Sequence, residues 1–452
     1  MGFVLEPQKR VPVVYDVDVV VAGGGVSGVF AALAAAREGA DTVLIERFGA
    51  VGGNIGPGMI VGGSIRGPGK IGDTVSWLYG GVAGIAREFV ERYTKLGQGT
   101  RGNDLRESSI ASYLAFKMLD EAGVKLLLST YVTDPIREGN RVRGVFVENK
   151  SGRQAVRAKV VIDATGEADV ARRAGAPAIH PKLSYAAFDS HAPTGMQIYA
   201  VAGGVDWQRY EGRPGKQRPG KLVKRVDDLA EIRVGNFARL SDLNDGLAAV
   251  SAKVLRPENN PTIDPKVDAG NGLHISRLEA EFRKAIFEHL QAYQEAVPGF
   301  DNAYLITIAP YLGSRGGPCI EGDYTLTIED CRAGRRFDDV IYITAGPEAF
   351  SDIWKKKGGL KWTDVPYRVM LPKGVQGLMA VGRSASGIPD TLLRNRQAVM
   401  HMGQAAGTAA ALAIKNGVSP REVNVKHLQI KLLEAGFHLG NEDRLKELGL
   451  KN

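Results

Sequence analysis

The apolar positions open with a run from Asp16 to Ala22 (DVDVVVA), rich in valine and closed by three glycines. A short apolar run of β-branched residues ended by glycine predicts a parallel strand buried on both faces. After Gly28 the pattern becomes VFAALAAAREGA, and alanine and leucine dominate as far as Gly39. That composition predicts a helix which glycine stops. Thr42 to Glu46 (TVLIE) is a second buried strand, so the three elements predict one βαβ unit. Further strands are expected at Leu126–Tyr131, Val142–Glu148, Lys159–Asp163 and in LMAVG after Gly377. Helices are expected at Val82–Leu96, Ser108–Ala122 and Gly403–Lys415.

Between about residues 176 and 370 long apolar runs become fewer, while proline and scattered tyrosine and tryptophan increase. The predicted fold is therefore α/β, with a discontinuous Rossmann-type domain interrupted by a domain with a mixed or antiparallel sheet. The expected division is 14–175 and 371–420 for the first domain, 176–370 for the insertion, and a helical tail over 421–452.

Composition narrows the chemistry. The 452 residues include 57 glycines, about one in eight, against roughly 7% in ordinary proteins. Such an excess points to many tight turns and close backbone approaches. The formal charge is +8, but Lys and Arg are scattered, and their densest stretch, Arg209–Arg225, is interleaved with Gly and Pro. No nucleic-acid partner is expected. Two cysteines, Cys319 and Cys331, are too few for an iron–sulfur cluster or a structural zinc, and no metal site is expected. They are read as inert thiols, with a redox pair as the alternative. The longest apolar run, Val17–Ala36, contains Asp18 and four glycines. It suits neither a membrane span nor a signal peptide, and a cytoplasmic protein is expected.

The strongest local motif is Gly23-Gly24-Gly25-Val26-Ser27-Gly28, a G-x-G-x-x-G placed between the first strand and helix. The first glycine permits the turn, the second admits a pyrophosphate, and the third lets helix and strand pack closely. The anion then meets free N–H groups at a helix N-terminus. Glu46 ends the second strand and can accept both hydroxyls of an adenosine ribose. The glycine-dense loop that follows, with Gly52, Gly53 and Asn54, suits a long ligand laid along backbone.

With these residues the chain resembles the FAD-dependent oxidoreductases of the glutathione-reductase-like flavoprotein superfamily. The resemblance is carried by VVVAGGGVSGVFAALAAAREGADTVLIER, VGGN, AKVVIDATGEADVARRAGAP, EGDYTLTIEDCRAGRRFDDVI, GLMAVGRSASG and HMGQAAGTAAALAIKNGVSP. It implies FAD as the cofactor. Gly23, Gly25, Val26, Ser27 and Gly28 would hold the pyrophosphate, and Glu46 the adenosine ribose, with Arg47 beside it. Val132 falls where the family contacts adenine through backbone. Ala164, Thr165 and Gly166 match the second glycine turn, and Gly382 and Arg383 the late Gly-Arg element. Gly403, Gln404 and Ala405 would begin a helix aimed at the flavin pyrimidine edge, worth about 0.3–2 kcal/mol to the reduced form.

Candidates for the reaction itself are Arg394 and Arg315, which match family arginines and could anchor a substrate carboxylate. Pro318 stands where a partner arginine usually follows Arg315. His401 lies two residues before Gly403 and is a candidate base, as is Asp390. Together these residues imply hydride transfer from a small organic substrate, with some bias to an anionic one, onto flavin N5. The electron acceptor is left open among oxygen, a quinone and a carrier protein, as is self-association into a homo-oligomer. The alternatives are a flavin monooxygenase and a non-catalytic FAD electron-transfer subunit.

Overall fold

The computed structural model describes residues 2–59, 78–96, 105–180, 196–211, 220–240, 246–255, 266–314, 316–344, 360–387 and 396–451. Six strands come from its first part: β1 (Val13–Ala22), β2 (Thr42–Ile45), β3 (Lys125–Leu127), β4 (Tyr131–Glu138), β5 (Arg141–Asn149) and β6 (Gly152–Asp163). They lie in the order β3-β2-β1-β6-β5-β4. β1 is parallel to both neighbours, with Val21 opposite Leu44 on one side and Ile162 on the other. β6 changes partner along its length. Its first half pairs antiparallel with β5, and Val161–Asp163 pairs parallel with the distant strand Leu378–Ala380.

Both faces of this sheet are covered, which is why its strands read as continuous apolar runs. Val19, Val21, Leu44 and Ile162 enter one core, whereas Val20, Ala22, Val43 and Val161 enter another. The first core lies under α1 (Val26–Arg37), α2 (Gly84–Leu96), α3 (Leu105–Glu121) and the helix Arg396–Asn416. α1 is buried from Ser27 to Ala35, held against the last of these helices. Glycine makes that contact possible: a Cβ on Gly403 would lie 2.2 Å from the Ser27 carbonyl, and one on Gly407 2.1 Å from that of Ala31.

The helix expected to begin at Gly403 instead runs through Arg396–Asn416, so Gly403, Gln404 and Ala405 are interior to it. The strand expected over Leu126–Tyr131 is interrupted at Leu128–Thr130, where Ser129 takes φ +49°.

A second sheet, antiparallel throughout, places Met196–Gly203 between Tyr304–Ile308 and Ala248–Val254, followed by Ala230–Val234 and Val223–Val226. The helix Gly272–Ala296 lies across it and buries Leu278, Phe282, Ile286 and Tyr293 against Ile198, Ile232 and Val250. The stretch expected to belong to the insertion as far as 370 is divided. The antiparallel pair Val340–Thr344 and Thr363–Pro366 packs into the first core beside Leu33, Phe89 and Met400. The tail forms the helices Val425–Glu434 and Glu442–Glu447, and Leu428 and Leu432 join the same core. Among the described residues no helix is long and apolar enough to cross a membrane.

Candidate functional site at the first glycine turn

α1 starts with an extended N-cap, Gly25, and no described side chain accepts a hydrogen bond from its first turn. Its free N–H groups and the positive end of its dipole therefore face outward together, the arrangement that binds a phosphate. The three motif glycines differ in what confines them. A Cβ on Gly23, at φ +109°, would lie 2.5 Å from the Ala164 carbonyl oxygen, and one on Gly28 1.9 Å from that of Gly23. A Cβ on Gly25 would meet no described atom within 4 Å. Packing thus requires the first and third, while the second leaves the helix end open beside Val26 and Ser27.

Glu46 is held at the tip of β2. Its Oε2 accepts the Gly24 N–H at 2.7 Å and its Oε1 the Phe48 N–H at 3.0 Å. Burial raises its carboxyl above the ordinary value, opposed by these bonds and by Arg47. Each carboxylate oxygen keeps capacity for a ribose hydroxyl. The loop beyond is folded against the first turn: Gly52 N–H donates to the Gly24 carbonyl at 2.8 Å. Gly52 and Gly53 take φ +102° and +53°, and a Cβ on Gly53 would lie 2.9 Å from Gly25 Cα. Asn54 follows in the same short turn.

The second glycine turn meets the first through Ala164, whose N–H donates to the Ala22 carbonyl at 2.8 Å. It is shaped by Asp163, the last residue of β6. The wholly buried carboxylate accepts the Thr165 N–H at 3.1 Å, the Thr165 hydroxyl at 2.7 Å and the Ala171 N–H at 2.9 Å. Burial pushes this carboxyl up to about 6. An acid closing a strand immediately before a glycine turn was a signal available in the sequence.

The Gly-Arg element arrives from the far end of the chain. Gly382, at φ +63°, is pressed against Ser27, where a Cβ would come within 2.7 Å of the hydroxyl. Arg383 pairs with Glu167 at 2.6 Å and lies over Gly166, and its Nη1 is buried with no hydrogen-bond partner among the described residues. Ser384 accepts the N–H groups of Gly166 and Ala168, each at 3.0 Å. These bonds span more than two hundred positions, and no local sequence pattern reports them.

Val132 pairs with Val147 in the β4–β5 hairpin, and its carbonyl accepts from Arg173 at 3.2 Å. The backbone alongside Glu46 is that of Ser129 and Thr130, which donate to the Phe48 and Glu46 carbonyls at 3.1 and 3.0 Å. Arg315, Asp390 and Arg394 lie outside the described residues.

His401 occupies a different setting from that expected of a base. It is buried, its Nε2 accepts the Ala83 N–H at 3.0 Å, and its ring packs on Phe437 at 4.1 Å. Burial lowers its pKa to about 3, so the ring is neutral and serves as an acceptor. Gln404 Oε1 accepts the Ile85 N–H at 2.8 Å. These two side chains cap the start of α2. Cys319 and Cys331 are separate buried thiols, pushed up to about 11 and about 12 by burial.

An open helix terminus, a fixed carboxylate, two glycine turns and an arginine with a free buried N–H suit a dinucleotide whose pyrophosphate crosses the α1 terminus. Residues 18–432 match the FAD dependent oxidoreductase family, and the chain belongs to it.

It is similar to digeranylgeranylglycerophospholipid reductase 1 of Methanopyrus kandleri, at 28% identity over 246 residues covering 48% of this chain and 63% of that protein. Thiamine thiazole synthase of Pyrobaculum arsenaticum is 34% identical over 172 residues, 35% of this chain and 60% of that protein. The matched region thus spans about six tenths of the length of these curated relatives. A solved geranylgeranyl bacteriochlorophyll reductase-like protein from Thermoplasma acidophilum is 15% identical, with 94% of this chain and 84% of that chain covered and a TM-score of 0.43.

Proposed function

We propose that the protein transfers a hydride from a small organic substrate to FAD bound across the α1 terminus. The observation that carries this reading is the convergence of four chain segments, 23–28, 46–54, 163–168 and 382–384, on one uncapped helix end. The α1 N–H groups hold the pyrophosphate, Glu46 binds the adenosine ribose, and the free N–H of Arg383 supplies a further donor. Bound flavin supplies the hydride acceptor at N5; the protein binds, orients and shields. Substrate is taken up on the side of the second sheet. Arg315 and Arg394 remain the proposed anchors for an anionic group and Asp390 the proposed base, whereas His401 is assigned to holding α2.

The name of the Methanopyrus relative favours a second reading, in which the hydride passes from reduced flavin to the organic substrate. One experiment separates the two. The purified protein is examined for flavin absorption and then mixed anaerobically with candidate donors. Bleaching by an organic donor supports oxidation. Anaerobic reoxidation of chemically reduced protein by an organic acceptor supports the reductase direction. A colourless protein that takes up no FAD sinks both.

A further inference from the structure

We propose that Tyr311 is a cofactor-positioning residue carried by the second sheet, which with Phe48 forms one wall of the site for the adenosine half of FAD. This rests on the reading of the α1 terminus as the FAD site.

Phe48 follows the ribose carboxylate by two residues and is held at both backbone groups. Its N–H donates to Glu46 Oε1 at 3.0 Å, and its carbonyl accepts the Ser129 N–H at 3.1 Å. Tyr311 comes from the other sheet, between Tyr304–Ile308 and Gly313–Ser314, both of which pair with Met196–Gly203. The two rings stack with centroids 4.5 Å apart and planes 14° from parallel. The Arg47 guanidinium carbon lies 4.8 Å from the Phe48 centroid and 5.6 Å from that of Tyr311. The far end of Tyr311 reaches the glycine loop. A Cβ built on Gly58 would lie 2.9 Å from its hydroxyl and 3.0 Å from Asn54 Oδ1.

The charges around this phenol belong to the same site. Burial raises its pKa most and Glu46 raises it further, while Arg47 and Arg383 pull it down. One side chain of the second sheet thus lies among the groups assigned to the ribose, the glycine loop and the late arginine.

Tyr311 is also braced from behind. Leu312 N–H donates to Glu279 Oε1 at 2.6 Å, and Arg283 donates to the Ala309 carbonyl at 3.0 Å. Glu279 and Arg283 pair with each other one turn apart on the helix Gly272–Ala296. The backbone on either side of Tyr311 is therefore tied to the core of the second sheet, and the ring is presented to Phe48 from a fixed support. Adenosine seated at Glu46 would have the stack as one wall, and desolvation beside an aromatic pair strengthens its contacts.

The test measures dissociation constants of the flavin-free full-length protein for FAD, ADP and FMN, together with its unfolding midpoint. Tyr311→Ala is expected to weaken FAD and ADP by the same factor, about tenfold, and to leave FMN unchanged, since the loss is one aromatic contact. Tyr311→Phe keeps the ring and retains wild-type affinity. Glu279→Ala, which touches no part of the cofactor site, weakens ADP in the same direction by a smaller factor. Should Tyr311→Ala lower the unfolding midpoint of the flavin-free protein, Tyr311→Leu replaces it, filling the space without a ring. Wild-type affinity for ADP in the ringless variant overturns the proposal. Wild-type protein that binds neither FAD nor ADP overturns the site itself, a separate result.

Discussion

At the scale of single residues the three glycines of the first turn have different jobs, and substitution should separate them. Gly28→Ala places a methyl 1.9 Å from the Gly23 carbonyl oxygen, an overpacking that costs on the order of 1–3 kcal/mol even without cofactor. Gly25→Ala meets no described protein atom, so it should unfold within about 0.5 kcal/mol of wild type yet lose FAD affinity. Denaturant unfolding of the flavin-free variants and FAD titration check both. Sequence spacing alone marked all three glycines alike, because the motif records where glycine is needed and not which atom demands it. His401 gives a second prediction. Its folded pKa of about 3 lies below the unfolded value of 6.5. Its contribution is therefore complete above pH 6.5 and falls as the pH drops toward 3. Between pH 7 and 5 this amounts to about 2 kcal/mol. His401→Gln, a neutral acceptor, should remove that part of the acid destabilisation in denaturant titrations at the two pH values. It should also leave the pH profile of turnover unshifted, and a shift would restore His401 as the base.

At the scale of elements the parallel strands were legible because burial on both faces leaves an uninterrupted valine pattern. The break between β3 and β4 was not, since Ser129 at φ +49° goes with the bonds of Ser129 to Phe48 and of Thr130 to Glu46 rather than with a local turn residue. The start of the Arg396–Asn416 helix was missed for a related reason. It is buried from Gln397 to Ala413, so it has no polar face whose periodicity could announce it. What its sequence did contain was Gly403 and Gly407, spaced one turn apart for contact with α1. Gly407→Ala would set a methyl 2.1 Å from the Ala31 carbonyl oxygen and is expected to cost on the order of 1–3 kcal/mol. A lower denaturation midpoint at constant slope would show it. Unchanged stability would mean that the two helices can slide apart without loss.

At the scale of the whole molecule the proposed cofactor site is assembled from residues that are hundreds of positions apart, so on that reading ligand binding and folding are coupled. FAD at a hundred times its dissociation constant should stabilise the folded state by about 2.7 kcal/mol. The upward shift should appear in one transition monitored by far-UV signal and by flavin fluorescence. Two transitions, only one of them sensitive to FAD, would mean that the second sheet unfolds independently and that Tyr311 contributes little. The sequence by itself determined the βαβ unit, the glycine turn and the carboxylate at Glu46, because each depends on residues close together in the chain. Only tertiary structure decided that Ser384 holds the second turn, that His401 caps α2, and that Tyr311 meets Phe48. It also decided that Val340–Thr344 belongs to the first core. Those outcomes depend on burial and on hydrogen bonds between distant segments, and neither leaves a periodic trace in the order of residues.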